Sequence, residues 1–391
     1  MPNIDYSKLL SRKVQEIQPS GIRKFFDIAN EMEGVISLGV GEPDFKTPWI
    51  VREKAIETLE RGKTIYTANA GLAMLREEIC NYLHKYDVDY DPRTETVVTV
   101  GGSEAIDMCI RALVDPGDEV LVVEPCFVAY APIIELTGGV VVPIETTAED
   151  HFRLTPEALR EKITDRTKLL IFPYPNNPTG GVMRREHLEA IAEVLRETDI
   201  MVLSDEIYSE LTYNGKHVTI ASLPGMRERT ILVNGFSKSF SMTGWRLGYA
   251  CGPAPVIKQM TKIHQFAIMC APTTSQYAAI EALRRCEENI QSMREEYNRR
   301  RRYIVDGFNK LGLPCFEPEG AFYIFPSIQS TGMTSDEFCE KLLFSKKVAV
   351  VPGTAFGACG EGFVRVSYSY SIQHISEALR RIAEFLQECR E

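Results

Sequence analysis

The sequence predicts an α/β fold: a large domain on a mainly parallel seven-stranded sheet covered by helices, and a smaller α+β domain after it. Three observations predict it. Between residues 95 and 252, short apolar runs alternate with helical patterns, which is how parallel βαβ units read. Those runs are rich in β-branched residues and lack the polar alternation of a half-exposed strand, so both faces of the sheet are covered. From about Leu311 the pattern changes to short strands with two helices, a separate layer. A chain of 391 residues also exceeds the size at which one core keeps growing. The predicted divisions are 1–45 for an N-terminal arm with part of the small domain, 46–285 for the large domain and 286–391 for the C-terminal small domain.

In order, short helical patterns at 11–17 and 22–32 flank Gly21. They are too short and polar for a core of their own. Ile36-Ser-Leu-Gly-Val-Gly-Glu-Pro-Asp44 is a short apolar strand broken by a turn whose glycines let backbone approach a ligand. A helix from Pro48, the loop Tyr66-Thr-Ala-Asn-Ala-Gly71 and a helix from Leu72 follow. The seven strands of the large sheet are expected at 96–100, 119–123, 140–144, 168–172, 201–203, 230–233 and 247–250. Helices are expected at 103–114, 127–136, 155–162 and 184–197. A long helical pattern starts near Pro253, breaks at Ala271-Pro272 and continues to Arg302, where the run Arg299 to Arg302 reads as a solvated helix face. The small domain is expected to hold strands at 314–316, 321–325, 348–351 and 363–367 and helices at 334–344 and 372–388.

Composition narrows the function. With 44% hydrophobic and 25% charged residues the chain reads as an ordinary globular protein, and a net charge of −10 offers no basic footprint for nucleic acid or an anionic membrane. No apolar run approaches membrane-spanning length and the start lacks a signal-type segment, so a cytoplasmic location is expected. The ten cysteines form no C-x-x-C pair and the six histidines are dispersed, so no metal site is expected. A G-x-G-x-x-G after a strand is also absent, which argues against a dinucleotide.

The residues with chemistry fall at strand ends, where parallel sheets bind ligands. A strand ending at Val233 leads into Asn-Gly-Phe-Ser-Lys-Ser-Phe-Ser-Met-Thr-Gly-Trp-Arg-Leu-Gly-Tyr249. Lys238 is the side chain type that forms a Schiff base with an aldehyde cofactor. Arg246 offers a fork of donors suited to a phosphate, and Ser237 and Ser239 offer hydroxyls. Gly101-Gly102-Ser103-Glu104 takes a strand into a helix start, a seat for an anion. Asp205, at a buried strand end, is costly unless a cation compensates it, the plainer alternative being a helix cap. Arg365 lies in a strand with apolar neighbours on both sides, where alternation could leave it exposed.

Ser-Lys-Ser-Phe-Ser-Met-Thr-Gly-Trp-Arg-Leu-Gly-Tyr249, with Asn177-Pro-Thr-Gly180 and Ser204-Asp-Glu-Ile-Tyr208, resembles the cofactor-lysine region of the fold-type I pyridoxal phosphate (PLP) enzymes, specifically class I/II aminotransferases. Matching segments extend from about Ser20 to Ser371, and the resemblance is nearest to bacterial enzymes assigned to aspartate, aromatic or N-acetyl-diaminopimelate substrates. It implies PLP on Lys238, Phe127 stacked on its ring, Asp205 on the ring nitrogen, and Asn177 and Tyr208 on the phenolic oxygen. It further implies a phosphate held by Gly102, Ser103, Glu104, Ser237, Ser239 and Arg246, and by Tyr66 reaching across a homodimer interface. Gly41 and Asn177 would line the substrate site, and Arg365 would grip the α-carboxylate. The implied reaction moves an amino group from an L-amino acid to a 2-keto acid such as 2-oxoglutarate by a ping-pong mechanism. A carbon-sulfur β-lyase on the same scaffold is the alternative. Tyr130 occupies the place of a histidine found in some members, and Ser103 lies near the position of a lysine found in one aspartate-specific branch. Arg23 is a candidate for an acidic substrate side chain, Phe25 and Tyr323 for an aromatic one.

Overall fold

The computed structural model describes residues 4–19 and 32–389. The helix expected from Ile22, with Arg23 and Phe25, falls outside these residues up to position 31.

The large sheet uses β2 to β8 and the chain start supplies β1. These are β1 (Ile36–Ser37), β2 (Thr96–Thr99), β3 (Glu119–Glu124), β4 (Val140–Glu145), β5 (Thr167–Phe172), β6 (Met201–Asp205), β7 (Thr230–Gly235) and β8 (Gly248–Cys251). The seven run in the order β2-β8-β7-β6-β5-β3-β4. All neighbours are parallel except β8, which is antiparallel to both β7 and β2. Each lies within two residues of its expected place. Alternate side chains of β3 enter opposite cores, which is why its sequence shows no polar alternation. Val120 and Val122 pack with Ile106 and Ile110 of the helix Gly102–Leu113, while Leu121 and Val123 pack with Leu188 and Ile191 of the helix Arg185–Arg196. Fully burying each such side chain contributes about 1.5–3 kcal/mol. At the edge, β4 is partly exposed and carries Pro143, which an edge tolerates because one side of the strand needs no ladder donor.

The second layer contains β9 (Tyr323–Ile324), β10 (Val348–Ala349), β11 (Val351–Pro352) and β12 (Val364–Ser367). β11, β12 and β9 form an antiparallel sheet, and β10 pairs in parallel with β1. The helices Ser335–Lys346 and Ile372–Glu388 bury Phe338, Leu342, Ile375 and Phe385 against them. The same core takes in Tyr208 and Leu211 from the loop after β6, so the two layers meet where the candidate site residues lie.

Three expectations change. The run 348–351 divides at Val350 because its halves serve different sheets. Residues 314–316 form no strand, only the isolated bridge Cys315 to Pro326, in a stretch where Pro314 and Pro318 lack ladder donors. The long helical pattern resolves into Ala254–Ala267, Thr273–Arg285 and Glu287–Lys310, and its arginine run is not wholly a solvated face. Arg300 and Arg301 are 7% and 3% exposed. Arg300 Nη1 donates to both carboxylate oxygens of Asp44, at 2.9 and 2.8 Å, and Arg301 Nη1 donates to Glu317 at 2.9 Å and to the Pro318 carbonyl at 2.7 Å. A buried guanidinium requires such partners. The Arg300 contact fastens the turn after Gly41 to the helix Glu287–Lys310.

Candidate active site

The chain reverses its direction of travel across the sheet between β3 and β5, and parallel sheets place ligands beyond the carboxyl ends of strands at such a point. A cavity of about 460 Å³ lies there. It brings together Gly41, Gly102, Ser103, Phe127, Asn177, Asp205, Tyr208, Ser237, Lys238, Arg246 and Arg365 from the carboxyl ends of β2, β3, β5, β6 and β7, the lead-in to β8, the turn after β1, and β12. Residues as far apart as Gly41 and Arg365 meet because β12 and the segment after β1 are hydrogen-bonded, Ser367 N–H to the Leu38 carbonyl at 2.7 Å.

Lys238 sits on the loop that leaves β7. Part of its surface faces the cavity, but protein closes around the amine, which donates to the Gly41 carbonyl. Burial pushes its pKa down to about 8; the Glu42 carboxylate opposes the shift, and the Arg365 and Arg246 cations reinforce it. A lysine so placed gives up its proton near neutral pH and is a competent nucleophile and base.

Asp205 closes β6 and is 8% exposed. Burial raises its pKa, while hydrogen bonds from Tyr130 Oη (2.6 Å) and the Ile207 N–H (3.2 Å) pull it back toward the carboxylate. Tyr130, at the place of a histidine in some members of the resembling family, thus supplies a donor to Asp205. A cation on the cavity side would satisfy the carboxylate further, and the protonated ring nitrogen of PLP is of that kind.

Arg365 is 4% exposed, which removes the exposed alternative. Its Nη1 donates to Asn177 Oδ1 at 2.9 Å and its Nη2 to the Gly39 carbonyl, and its Nε has no partner among the described residues. Its guanidinium lies over the rings of Tyr323 and Phe356, at 4.5 and 4.8 Å. A buried guanidinium with an unpaired donor suits a carboxylate.

The opposite end of the cavity is a cradle for an anion. Gly101 precedes the helix with φ +81°, and a Cβ there would come within 2.8 Å of Arg246 Nη2. Gly248, which opens β8, would carry a Cβ 2.6 Å from the Gly101 carbonyl carbon. These glycines let β8 and its arginine close on the helix N-terminus, where free N–H groups favour a phosphate. A lysine, a buried aspartate, an aromatic face at Phe127 and this cradle fit PLP.

Three expected residues lie elsewhere. The Glu104 carboxylate turns from the cavity, accepting from the Val100 N–H at 2.5 Å and pairing with buried His264 Nδ1 at 2.7 Å, so only its backbone is left to the cradle. Ser239 is buried outside the cavity lining. Tyr66 stands 77% exposed, away from this chain's own cavity. Conversely, Glu42 and Thr243 line the cavity and are hydrogen-bonded to each other, although their sequence context reads as turn. Of the substrate-pocket candidates, Tyr323 is in the cavity.

The sheet and its contents define an enzyme that works through a lysine and an aldehyde cofactor. Residues 33–382 match the family Aminotransferase class I and II. The chain is 53% identical over 380 residues to a putative aminotransferase YugH of Bacillus subtilis, covering 97% of this chain and 98% of that one. It is 47% identical to an aspartate aminotransferase of Pyrococcus abyssi, with coverage of 97% and 98%. A solved aromatic aminotransferase from Pyrococcus horikoshii superposes with a TM-score of 0.90 at 45% identity, covering 94% of this chain and 99% of that one. The chain belongs to the class I and II aminotransferases and is a PLP-dependent enzyme of that family. These relatives do not favour the lyase alternative. Among the described residues, no helix is long and apolar enough to cross a membrane.

Proposed function

We propose that this aminotransferase moves the amino group of an L-amino acid of the aspartate, aromatic or N-acetyl-diaminopimelate type to 2-oxoglutarate, with the cavity residues in the following roles. The observation that carries the reading is the unpaired Nε of buried Arg365 in the same cavity as Lys238. Arg365, steadied by Asn177, grips the α-carboxylate and so fixes the Cα hydrogen relative to Lys238. Bound PLP supplies the aldehyde that takes the amino group and a ring that draws electrons from Cα. Lys238 would hold the PLP and, once displaced by substrate, would carry the Cα proton on Nζ. Asp205, whose bond from Tyr130 opposes the effect of burial, would pair with the protonated ring nitrogen; Asn177 and Tyr208 would donate to the phenolic oxygen. Phe127 stacks on the ring. Arg246, Ser237 and the backbone of Gly102, Ser103 and Glu104 hold the phosphate, Ser239 supporting this loop from behind. Ser103 offers no cation for a distal carboxylate, so strict aspartate preference is not expected.

The enzyme works as a cytoplasmic homodimer in amino-acid biosynthesis. For the homodimer, the exposed apolar side chains of Ile65 (78%), Tyr66 (77%) and Phe266 (82%) offer surface for a partner to cover, with Tyr66 the one to reach the partner's phosphate. The chain's divisions are an N-terminal arm with part of the small domain at 1–45, the large PLP-binding domain at 46–285 and the C-terminal small domain at 286–391. The test is a half-reaction: the coloured protein mixed with one amino acid and no keto acid converts to the pyridoxamine form, and 2-oxoglutarate restores it. A protein that instead releases pyruvate and ammonia without losing its colour refutes the reading, as does full turnover by Lys238→Ala.

A further inference from the structure

Tyr323 opens β9 and is 1% exposed. Its Oη lies 2.9 Å from Tyr208 Oη, and neither hydroxyl has another partner among the described residues. The pair is held closely. The rings meet edge to face at 5.9 Å, and a Cβ on Gly41 would lie 2.4 Å from Tyr323 Oη, so the hydroxyl is wedged between that glycine and Tyr208. The Tyr323 ring also carries the Arg365 guanidinium at 4.5 Å. Tyr323 therefore touches both the carboxylate grip and the phenol assigned to the cofactor.

We propose that Tyr323 is a positioning residue whose hydroxyl donates to Tyr208 and so turns the Tyr208 proton into the cavity. Two hydroxyls can share only one proton between them. If Tyr208 donated to Tyr323, it would have nothing left to give a ligand; with Tyr323 as donor, Tyr208 is free to give. Burial raises both phenols, Tyr208 more strongly, and the Arg365 cation opposes the rise in both, which leaves Tyr323 the better donor. A hydrogen bond accepted by Tyr208 also polarises it and strengthens the bond it donates onward. The same geometry removes Tyr323 from the side-chain pocket, since its hydroxyl faces Tyr208. This inference rests on the reading that Tyr208 donates to the phenolic oxygen of PLP.

The test is the pH titration of the visible absorbance of the resting, PLP-loaded protein, without substrate. Tyr323→Phe keeps the ring under Arg365 and removes the relay, so Tyr208 holds the ionised phenolic oxygen less well and the midpoint moves up by about half a pH unit. In a Tyr208→Phe background the same substitution moves nothing, because it acts through Tyr208. In turnover, kcat falls severalfold for acidic and aromatic donors alike while KM stays within about twofold. An unmoved midpoint, a shift that persists in the Tyr208→Phe background, or a loss confined to aromatic donors overturns the proposal. Should Tyr323→Phe not fold, Gly41→Ala displaces the same hydroxyl, and the midpoint of the resting protein should rise likewise. A wild-type protein that binds no PLP refutes the underlying role assignment instead.

Discussion

The depressed basicity of Lys238 governs how fast the protein captures its cofactor. An amine attacks an aldehyde only when neutral. With its pKa lowered from 10.5 to about 8, the neutral fraction at pH 7 rises from roughly 1 in 3000 to roughly 1 in 10, a gain of about 300-fold. Stopped-flow mixing of cofactor-free protein with PLP reads this directly through the growth of visible absorbance. The rate should climb about tenfold per pH unit below 8 and flatten above it. Glu42 favours the ammonium form, so Glu42→Gln should move the bend to lower pH. A rate that keeps climbing at the same slope through about pH 9.5 would mean that Lys238 is an ordinary lysine and that burial does not set its chemistry. Lys238→Ala should show no covalent phase.

Other perturbations probe the two ends of the cavity and its support. Tyr130→Phe removes a charge-assisted bond of about 1.5–3 kcal/mol from buried Asp205; PLP affinity, measured by titrating the cofactor-free protein, should fall tenfold or more, and an unchanged affinity would deny Tyr130 its part. Gly101→Ala pushes a Cβ toward Arg246 at a backbone angle that favours glycine, so binding of PLP should weaken about tenfold while that of pyridoxal, which lacks the phosphate, holds. Arg300→Met leaves Asp44 without its buried cation; because Asp44 is 31% exposed, the loss should be about 1–2 kcal/mol in urea unfolding, below the range for fully buried pairs. No change in the unfolding midpoint would show that the pair contributes only geometry.

The sheet was legible because buried parallel strands carry their signal locally: β3 and β7 are apolar on both faces and bounded by turn residues, and nothing distant is needed to see them. The cavity residues were legible because parallel strands deliver their ends to one edge. What local pattern could not show was pairing across long separations. Glu104 sits beside Ser103 in sequence, yet its carboxylate answers to His264, 160 residues on. Asp44 and Arg300 are 256 positions apart, and the arginine run therefore looked like any solvated helix face. Tyr130 was visible as an aromatic after a strand, but its hydroxyl gained meaning only when Asp205 was found 2.6 Å away. The strand expected at 314–316 failed for a related reason, since an apolar run between prolines resembles a strand until it lacks a neighbour to pair with.

The reversal of β8 has a consequence for how this site can change over evolutionary time. Because β8 returns antiparallel beside β7, Lys238 and Arg246 lie near the two ends of the one loop that joins them, closed at its base by the register of Gly235 with Gly248. The span between the amine and the guanidinium is thereby a property of a single loop. Insertions elsewhere can reshape the walls of the cavity without altering it, whereas a change of length between Gly235 and Gly248 would disturb both anchors at once. Diversity in the substrates accepted is then free to accumulate in the other walls of the cavity, while the loop between the anchors keeps its length.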